Sequence, residues 1–269
     1  VFVCFREGGI FRAPYNKDYV WSNVTNGLIS AVKDIAVIGS DVFVSVDEDK
    51  LYKTSNNGKD WAEPNSCYSD HSYRHFCSNS TCLYEGSIEG DACFSSDKGE
   101  TWNRISRGVS SKITSVDASE TELFIGNYGG TISITSDNGM SWKESKIGYN
   151  TYTIGAVRRN SSSIWVLVDN YGLYSSSDFG DTWTQASIGI DNRKITCIAV
   201  NGMNIYAGTQ GEGVFLSTNN GMKWQPASNG LAKQTINCIE IKDSHVFIGT
   251  DGGLFMSTAN CDLWTECNN

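Results

Sequence analysis

Cysteine and histidine are the residues whose spacing first points to chemistry. Cys67, His71, His75 and Cys77 follow one another as Cys-x3-His-x3-His-x-Cys, with Cys82 and Cys93 shortly after. Thiolates and imidazoles are ordinary zinc ligands, but this spacing matches no common zinc motif, so neither a metal nor a cofactor is expected. The same cysteines fit disulfides. Cys82 and Cys93 fall on consecutive antiparallel strands, nearly symmetric about a turn near Glu85–Gly90, where opposed Cβ atoms come within bridging reach. Cys67 then pairs with Cys77; the competing pattern is Cys77–Cys82 with Cys67–Cys93. Cys261 and Cys267 flank the last hairpin as a further candidate pair. Cys197 and Cys238 read as small buried side chains on neighbouring strands. Nine cysteines in 269 residues indicate an oxidising compartment, so the chain is expected to be secreted, extracellular or lumenal. Sequons at Asn23, Asn79 and Asn160 agree with that expectation.

Carboxylates and arginines would matter for an enzyme. Glycoside hydrolysis needs two carboxylates across a groove, and the sequence assigns no such pair. Only Arg74, Arg158, Arg159 and Arg193 stand where a side chain could reach a central channel, so no catalytic residue is expected. Tyrosine offers recognition instead. Asn127 and Tyr128, then Tyr149 and Tyr152, then Asp169, Asn170 and Tyr171 set aromatic rings beside short polar side chains. Such rings stack on the C–H faces of sugars, and tyrosine is equally enriched at protein interfaces. A net charge of −9 excludes a nucleic-acid surface, which wants clustered Lys and Arg. No apolar run approaches the ~18 residues of a membrane span.

These residues are positioned by a repeat. Trp21, Trp61, Trp102, Trp142, Trp183, Trp224 and Trp264 recur every 40 or 41 residues, a period that signals stacked supersecondary units. Before each Trp stands a related octet, fullest in Ser95–Trp102 and Ser176–Trp183. Asp97, Asp137 and Asp178, or Asn56 and Asn219 in their place, lie two residues before a glycine. A short acceptor side chain that bonds the turn's own N–H groups, with Gly at φ > 0, specifies a tight hairpin. The Asp and Asn are therefore read as structural. Around each octet four short strands can be drawn, the size of a propeller blade.

This pattern resembles the Asp-box, or bacterial neuraminidase repeat, and the resemblance covers essentially the whole chain. It implies an all-β, seven-bladed β-propeller of four-stranded blades, each with an Asp-box hairpin between its third and fourth strands. The expected blades of this single domain are 1–24, 28–65, 69–106, 110–147, 150–187, 193–228 and 235–268. The first lacks its innermost strand, which favours a natural chain extending further at the N-terminus. Among Asp-box families, sialidases have six blades and an arginine triad; Phe11-Arg12-Ala13-Pro14 mimics a motif of theirs but aligns as an ordinary third strand. Xyloglucan hydrolases generally use two propellers and sortilin-type receptors ten blades. Photosystem II assembly factors share the seven-blade count, but carry a basic patch and few cysteines. The expected function is a non-catalytic extracellular scaffold that recognises a glycan or glycoprotein through the loop rim opposite the Asp boxes. The alternatives are a protein-assembly or adhesion module without sugar binding, and a sialidase-like glycoside hydrolase.

Overall fold

The computed structural model describes residues 2–4, 9–14, 20–26, 28, 32–46, 50–67, 74–105, 112–148, 152–186, 188–191, 193–232 and 234–267. Among these residues every regular element is a β-strand, paired antiparallel with its sequence neighbours. Five sheets have four strands: β7 (Arg74–Ser78) to β10 (Asn103–Arg104), β11 (Ile113–Ala118) to β14 (Lys143–Lys146), β15 (Ile154–Arg159) to β18 (Thr184–Ala186), β19 (Ile195–Asn201) to β22 (Gln225–Pro226), and β23 (Ile236–Lys242) to β26 (Thr265–Glu266). A sixth, β4 (Val32–Ile38), β5 (Asp41–Val46) and β6 (Leu51–Thr54), gains its fourth member from the bridge between Lys53 and Ala62. The expected seven four-stranded blades are thereby corrected to six. Among the described residues of the N-terminal region, β1 (Phe2–Cys4), β2 (Ile10–Arg12) and β3 (Ser22–Asn23) form a three-stranded sheet. The physical reason is that the tryptophan period counts hairpins between third and fourth strands, and a hairpin does not require an inner strand.

The chain divides into two compact units: Val1–Tyr128 with Ile132–Glu144, and Gly129–Thr131 with Ser145–Asn268. Within each, apolar clusters form between successive sheets. In the first unit, Phe43, Leu51 and Ala36 meet Phe76 and Leu83. In the second, Trp165 and Leu167 meet Ile198, Ile205 and Phe215. A second strand packed on both faces loses the alternation of a half-buried strand. β5 is buried at all six positions and β16 (Ile164–Val168) at all five.

The repeated octet closes each hairpin through its own polar atoms. Asp178 Oδ1 accepts from Ser176 Oγ (2.7 Å) and Thr182 N (2.9 Å), Oδ2 accepts from Thr182 Oγ1 (2.5 Å), and Ser176 Oγ accepts from Gly180 N (2.7 Å). Asp97 and Asp137 repeat this arrangement, and Asn56 and Asn219 accept the corresponding bonds through Oδ1. These hydrogen bonds favour the ionised carboxylate. Bonds from Thr101 hold Asp97, and bonds from Ser141 hold Asp137, at a pKa of about 2; those from Thr182 hold Asp178 well below the usual range. Trp61, Trp102 and Trp264 donate Nε1 to carbonyls of Val24, Asn65 and Ala227, which lie in the segments entering their sheets (2.7–2.9 Å).

The cysteines depart from the leading expectation. Cys67 is bonded to Cys93, as in the competing pattern. The turn between β8 (Leu83–Ser87) and β9 (Ala92–Ser95) spans 87–91, so Cys93 faces Glu85 rather than Cys82. Cys82 stands three residues from the strand position opposite Cys93, too far along the ladder for a bridge. Cys77 and Cys82 instead pack in one cluster around Tyr84. Cys261 and Cys267 are not joined: Cys261 takes the left-handed position of the last hairpin (φ 55°) and is buried, while Cys267 Sγ lies against Thr265 O. Burial pushes the Cys261 thiol up to about 12 and the Cys267 thiol to about 11. Of the two cysteines expected to be buried, Cys197 is half-buried, its thiol pushed up to about 12 by desolvation, and Cys238 is exposed.

Candidate functional site

The expected rim residues separate. Asn127 ends β12 (Leu123–Asn127) at 1% exposure and donates to Ser133 Oγ (3.1 Å), so its amide is part of the interior rather than of a binding surface. It is buried because the middle strand of a blade stays covered to its last residue. Tyr128, the next residue, is exposed and belongs with Asn127 to the first unit. His71 and Tyr149 lie outside the described residues.

The second unit brings the others together. The turn between β16 and β17 (Gly172–Ser176) carries Asp169, Asn170 and Tyr171, closed by Tyr171 N donating to Val168 O (2.9 Å). Asn170 takes φ 63°, a left-handed conformation that Asn tolerates through its short polar side chain. Asp169 N donates to Thr153 O (2.9 Å), which ties the turn to the approach strand. Tyr152, in that approach, is buried, and its ring stacks on Tyr171 with centroids 4.0 Å apart and planes 28° from parallel. Gln185 Nε2 donates to Tyr171 O (2.8 Å). Tyr171 is thus held from behind while 45% of it stays exposed. Burial raises the Asp169 carboxyl, and the charge of Lys194 opposes that rise.

Beside Tyr171 opens a cavity of about 490 Å³ between β17–β18 and the segment leading into β19. Leu173, Ala186, Ile190 and Ile195 give it apolar walls; Asn170, Gln185, Asp191, Arg193 and Lys194 give it polar ones. Arg193 was singled out in the sequence only for its distance to the channel. Its guanidinium lies over the Phe215 ring (4.5 Å), Nε pairs with Glu212 (3.2 Å), and Nη1 donates to Asp191 O (3.1 Å). A cation clamped by three neighbours presents a fixed direction to a ligand. Sequence reasoning missed the cavity because its walls come from segments that only the fold juxtaposes. Gln185 carried no signal, since it sits on a fourth strand whose neighbours are plain turn residues.

Hairpins of this octet on four-stranded blades, with a cavity between neighbouring sheets, define a β-propeller of Asp-box repeats. More closely, the chain belongs to the family of the photosynthesis system II assembly factor YCF48, whose family model matches residues 13–266. The acidity and the nine cysteines, which in the sequence count against that family, do not exclude membership of it. No curated protein matches the chain in sequence. Among solved structures, a YCF48 bound to a D1 peptide superposes with a TM-score of 0.76 at 10% identity, covering 96% of this chain and 87% of that one. YCF48 from Cyanidioschyzon merolae gives 0.75 at 12% identity, covering 96% and 90%. A GH74 xyloglucanase from Xanthomonas campestris gives 0.77 at 13% identity, covering 100% of this chain and 52% of that one. At these identities the likeness is one of fold. No helix of the described residues is long and apolar enough to cross a membrane.

Proposed function

We propose that the chain is a non-catalytic protein-binding scaffold, and that it receives a peptide segment of its partner in the cavity beside Tyr171. The observation that carries this reading is the cavity itself. Its volume of about 490 Å³ falls in the range of ligand sites, and it is an open, mainly polar recess in which Asn170, Gln185, Asp191, Arg193 and Lys194 stand beside apolar Leu173, Ile190 and Ile195. Two further features support it: Tyr171, a rigid aromatic at the mouth, and Arg193, a held guanidinium, are of the residue types that dominate interface energetics. The family match and the relative with a bound D1 peptide favour a protein partner over a sugar. Glycan recognition, secretion and a glycosylated surface stay with the original expectation and have no support of this kind.

Peptide-display selection against the native chain, with a glycan array in parallel, tests the reading. The expected result is a family of peptides whose affinity falls at least tenfold for Tyr171→Ala and for Arg193→Ala, with a blank array. Peptides insensitive to both substitutions, or glycan binding without peptide binding, would overturn it.

A further inference from the structure

Six asparagines stand directly before a glycine: Asn26, Asn57, Asn138, Asn201, Asn220 and Asn229. In such a pair the glycine nitrogen can attack the asparagine side-chain carbonyl carbon, because glycine has no Cβ to obstruct the approach. The fold treats the pairs differently. Asn57, Asn138 and Asn220 take left-handed turn positions (φ 65°, 56° and 52°). The nitrogen after each donates to the first hydroxyl of its octet: Gly58 N to Thr54 Oγ1 (2.9 Å), Gly139 N to Thr135 Oγ1 (2.8 Å) and Gly221 N to Ser217 Oγ (2.9 Å). A nitrogen held in a hydrogen bond of that length keeps its proton and its direction. Asn229 is held at the other reacting group, since its Nδ2 donates to Asp262 O (2.9 Å). Gly27, after Asn26, lies outside the described residues. Asn201 has neither restraint. It ends β19 and pairs across the ladder with Asn204, the first residue of β20 (Asn204–Thr209), so Gly202 and Met203 form a two-residue hairpin loop. Gly202 takes φ 58° at the first loop position, where such loops want glycine. Among the described residues nothing accepts from Gly202 N and nothing bonds the Asn201 side chain, and both residues are exposed. The two-residue loops after β4 and β23 follow Ile38 and Lys242 instead.

We infer that the Asn201-Gly202 pair is a self-modification site, where deamidation to an isoaspartyl linkage loosens the joint between two neighbouring sheets. Hydroxide removes the proton of Gly202 N, the nitrogen forms a bond to Asn201 Cγ, and the Cγ–Nδ2 bond breaks with release of ammonia. Water then opens the cyclic imide. Opening at Cγ leaves an ordinary aspartyl residue. Opening at the main-chain carbonyl leaves the chain running through the former side chain, a methylene longer, with a free carboxylate beside it. The sum is a water taken up and an ammonia lost, with no change of oxidation state. The extra methylene falls where the spacing of the loop matters. Gly202 O accepts from Asn160 Nδ2 (2.8 Å), in the turn after β15, and Met203 O accepts from Asn220 N (2.9 Å). Both ties depend on a loop closed by the Asn201–Asn204 pair. A longer main chain between 201 and 202 carries Gly202 O away from Asn160 and gives up the bond between the two turns. The loop shares no residue with the proposed peptide site.

Incubation of the full chain at mildly alkaline pH, read by site-resolved peptide mass spectrometry and by an isoaspartyl methyltransferase, tests this. Conversion at Asn201 is expected to run at least fivefold faster than at Asn57, Asn138, Asn220 and Asn229, and to yield methylatable product. In the urea-unfolded chain the five rates are expected to converge, because the residue after each is the same. The aged chain is expected to unfold at lower urea than the fresh one. Asn201→Gln, whose longer side chain does not close the same ring, is expected to keep its midpoint through the same incubation. Conversion at Asn201 no faster than at the other four, or the same ranking in urea, overturns the proposal. So does an isoaspartyl fraction that unfolds at the fresh midpoint, because the loop would then hold nothing between the sheets.

Discussion

At the scale of single residues, the Asp-box carboxylates carry an acid sensitivity whose sign can be worked out. Asp137 accepts from Ser141 N, Ser141 Oγ and Thr135 Oγ1, and the bonds from Ser141 chiefly hold its pKa at about 2. An unfolded Asp titrates near ~3.9. The folded value is the lower one, so the stabilisation is fully present above the unfolded pKa and is lost as pH falls through the folded one. The affected window therefore runs from about pH 4 to about pH 2. Asparagine already serves in this position at Asn56 and Asn219, where Oδ1 keeps the acceptor role without a charge. Asp137→Asn is expected to leave the thermal midpoint near wild type at pH 7 and to shrink its fall between pH 4 and pH 2. Asp137→Ala, which removes the acceptor, is expected to lower the midpoint at both ends. Thermal denaturation monitored by circular dichroism across that range separates the three proteins, and a D137N profile parallel to wild type would refute the linkage.

At the scale of elements, the hairpin turn is where local conformation and packing between neighbouring sheets meet in one glycine. Gly221 takes φ 77°, and a Cβ built there would lie 2.0 Å from Trp165 Cη2. Trp165 is 1% exposed and packs edge-on against Trp224, so its ring has nowhere to move. Gly202, at φ 58°, has no atom within 4 Å of the same added carbon. Gly202→Ala should therefore cost only the left-handed strain, about 1 kcal/mol, whereas Gly221→Ala adds overpacking and should cost about 2–5 kcal/mol. Urea unfolding midpoints of the two variants check the difference; equal shifts would mean that the ring yields. Hairpins of this kind were legible in the sequence because a turn needing glycine, an acceptor and a tryptophan writes all three within eight residues. The disulfide was not legible, because Cys93 finds its partner through the position of the β8–β9 turn, and two residues of error there redirect the ladder. Tyr152 and Tyr171 were legible by residue type, but the burial of Asn127 depends on the neighbouring sheets and leaves no local trace.

At the scale of the whole molecule, a repeat protein is held by what joins one unit to the next, and two sequons turn out to be such joints. Asn79 and Asn160 occupy the same place, the turn after the innermost strand, 81 residues apart in the chain. Each accepts from the turn through Oδ1, Asn79 from Thr81 N and Cys82 N, and Asn160 from Ser162 N and Ser163 N. Each donates Nδ2 to the next sheet's corresponding turn, Asn79 to Ser119 O (3.0 Å) and Asn160 to Gly202 O (2.8 Å). Asn160 also donates to Asn220 Oδ1 (2.9 Å). A glycan on Nδ2 would take away one of these protons, so the sequence pattern read as a modification signal coincides with a structural demand for Asn. Asn23 differs: its side chain is exposed, and Oδ1 accepts from Thr25 N within its own turn, with no tie from that side chain to a neighbouring sheet among the described residues. Asn160→Ala breaks the turn bonds and the tie together, and is expected to destabilise the chain by about 1–3 kcal/mol. Asn23→Ala is expected to stay within about 0.5 kcal/mol of wild type, as surface substitutions usually do. Denaturant titration of the two variants decides it. If Asn160→Ala matched Asn23→Ala, the ties would add nothing measurable, and packing between sheets would have to carry the cohesion of successive blades alone.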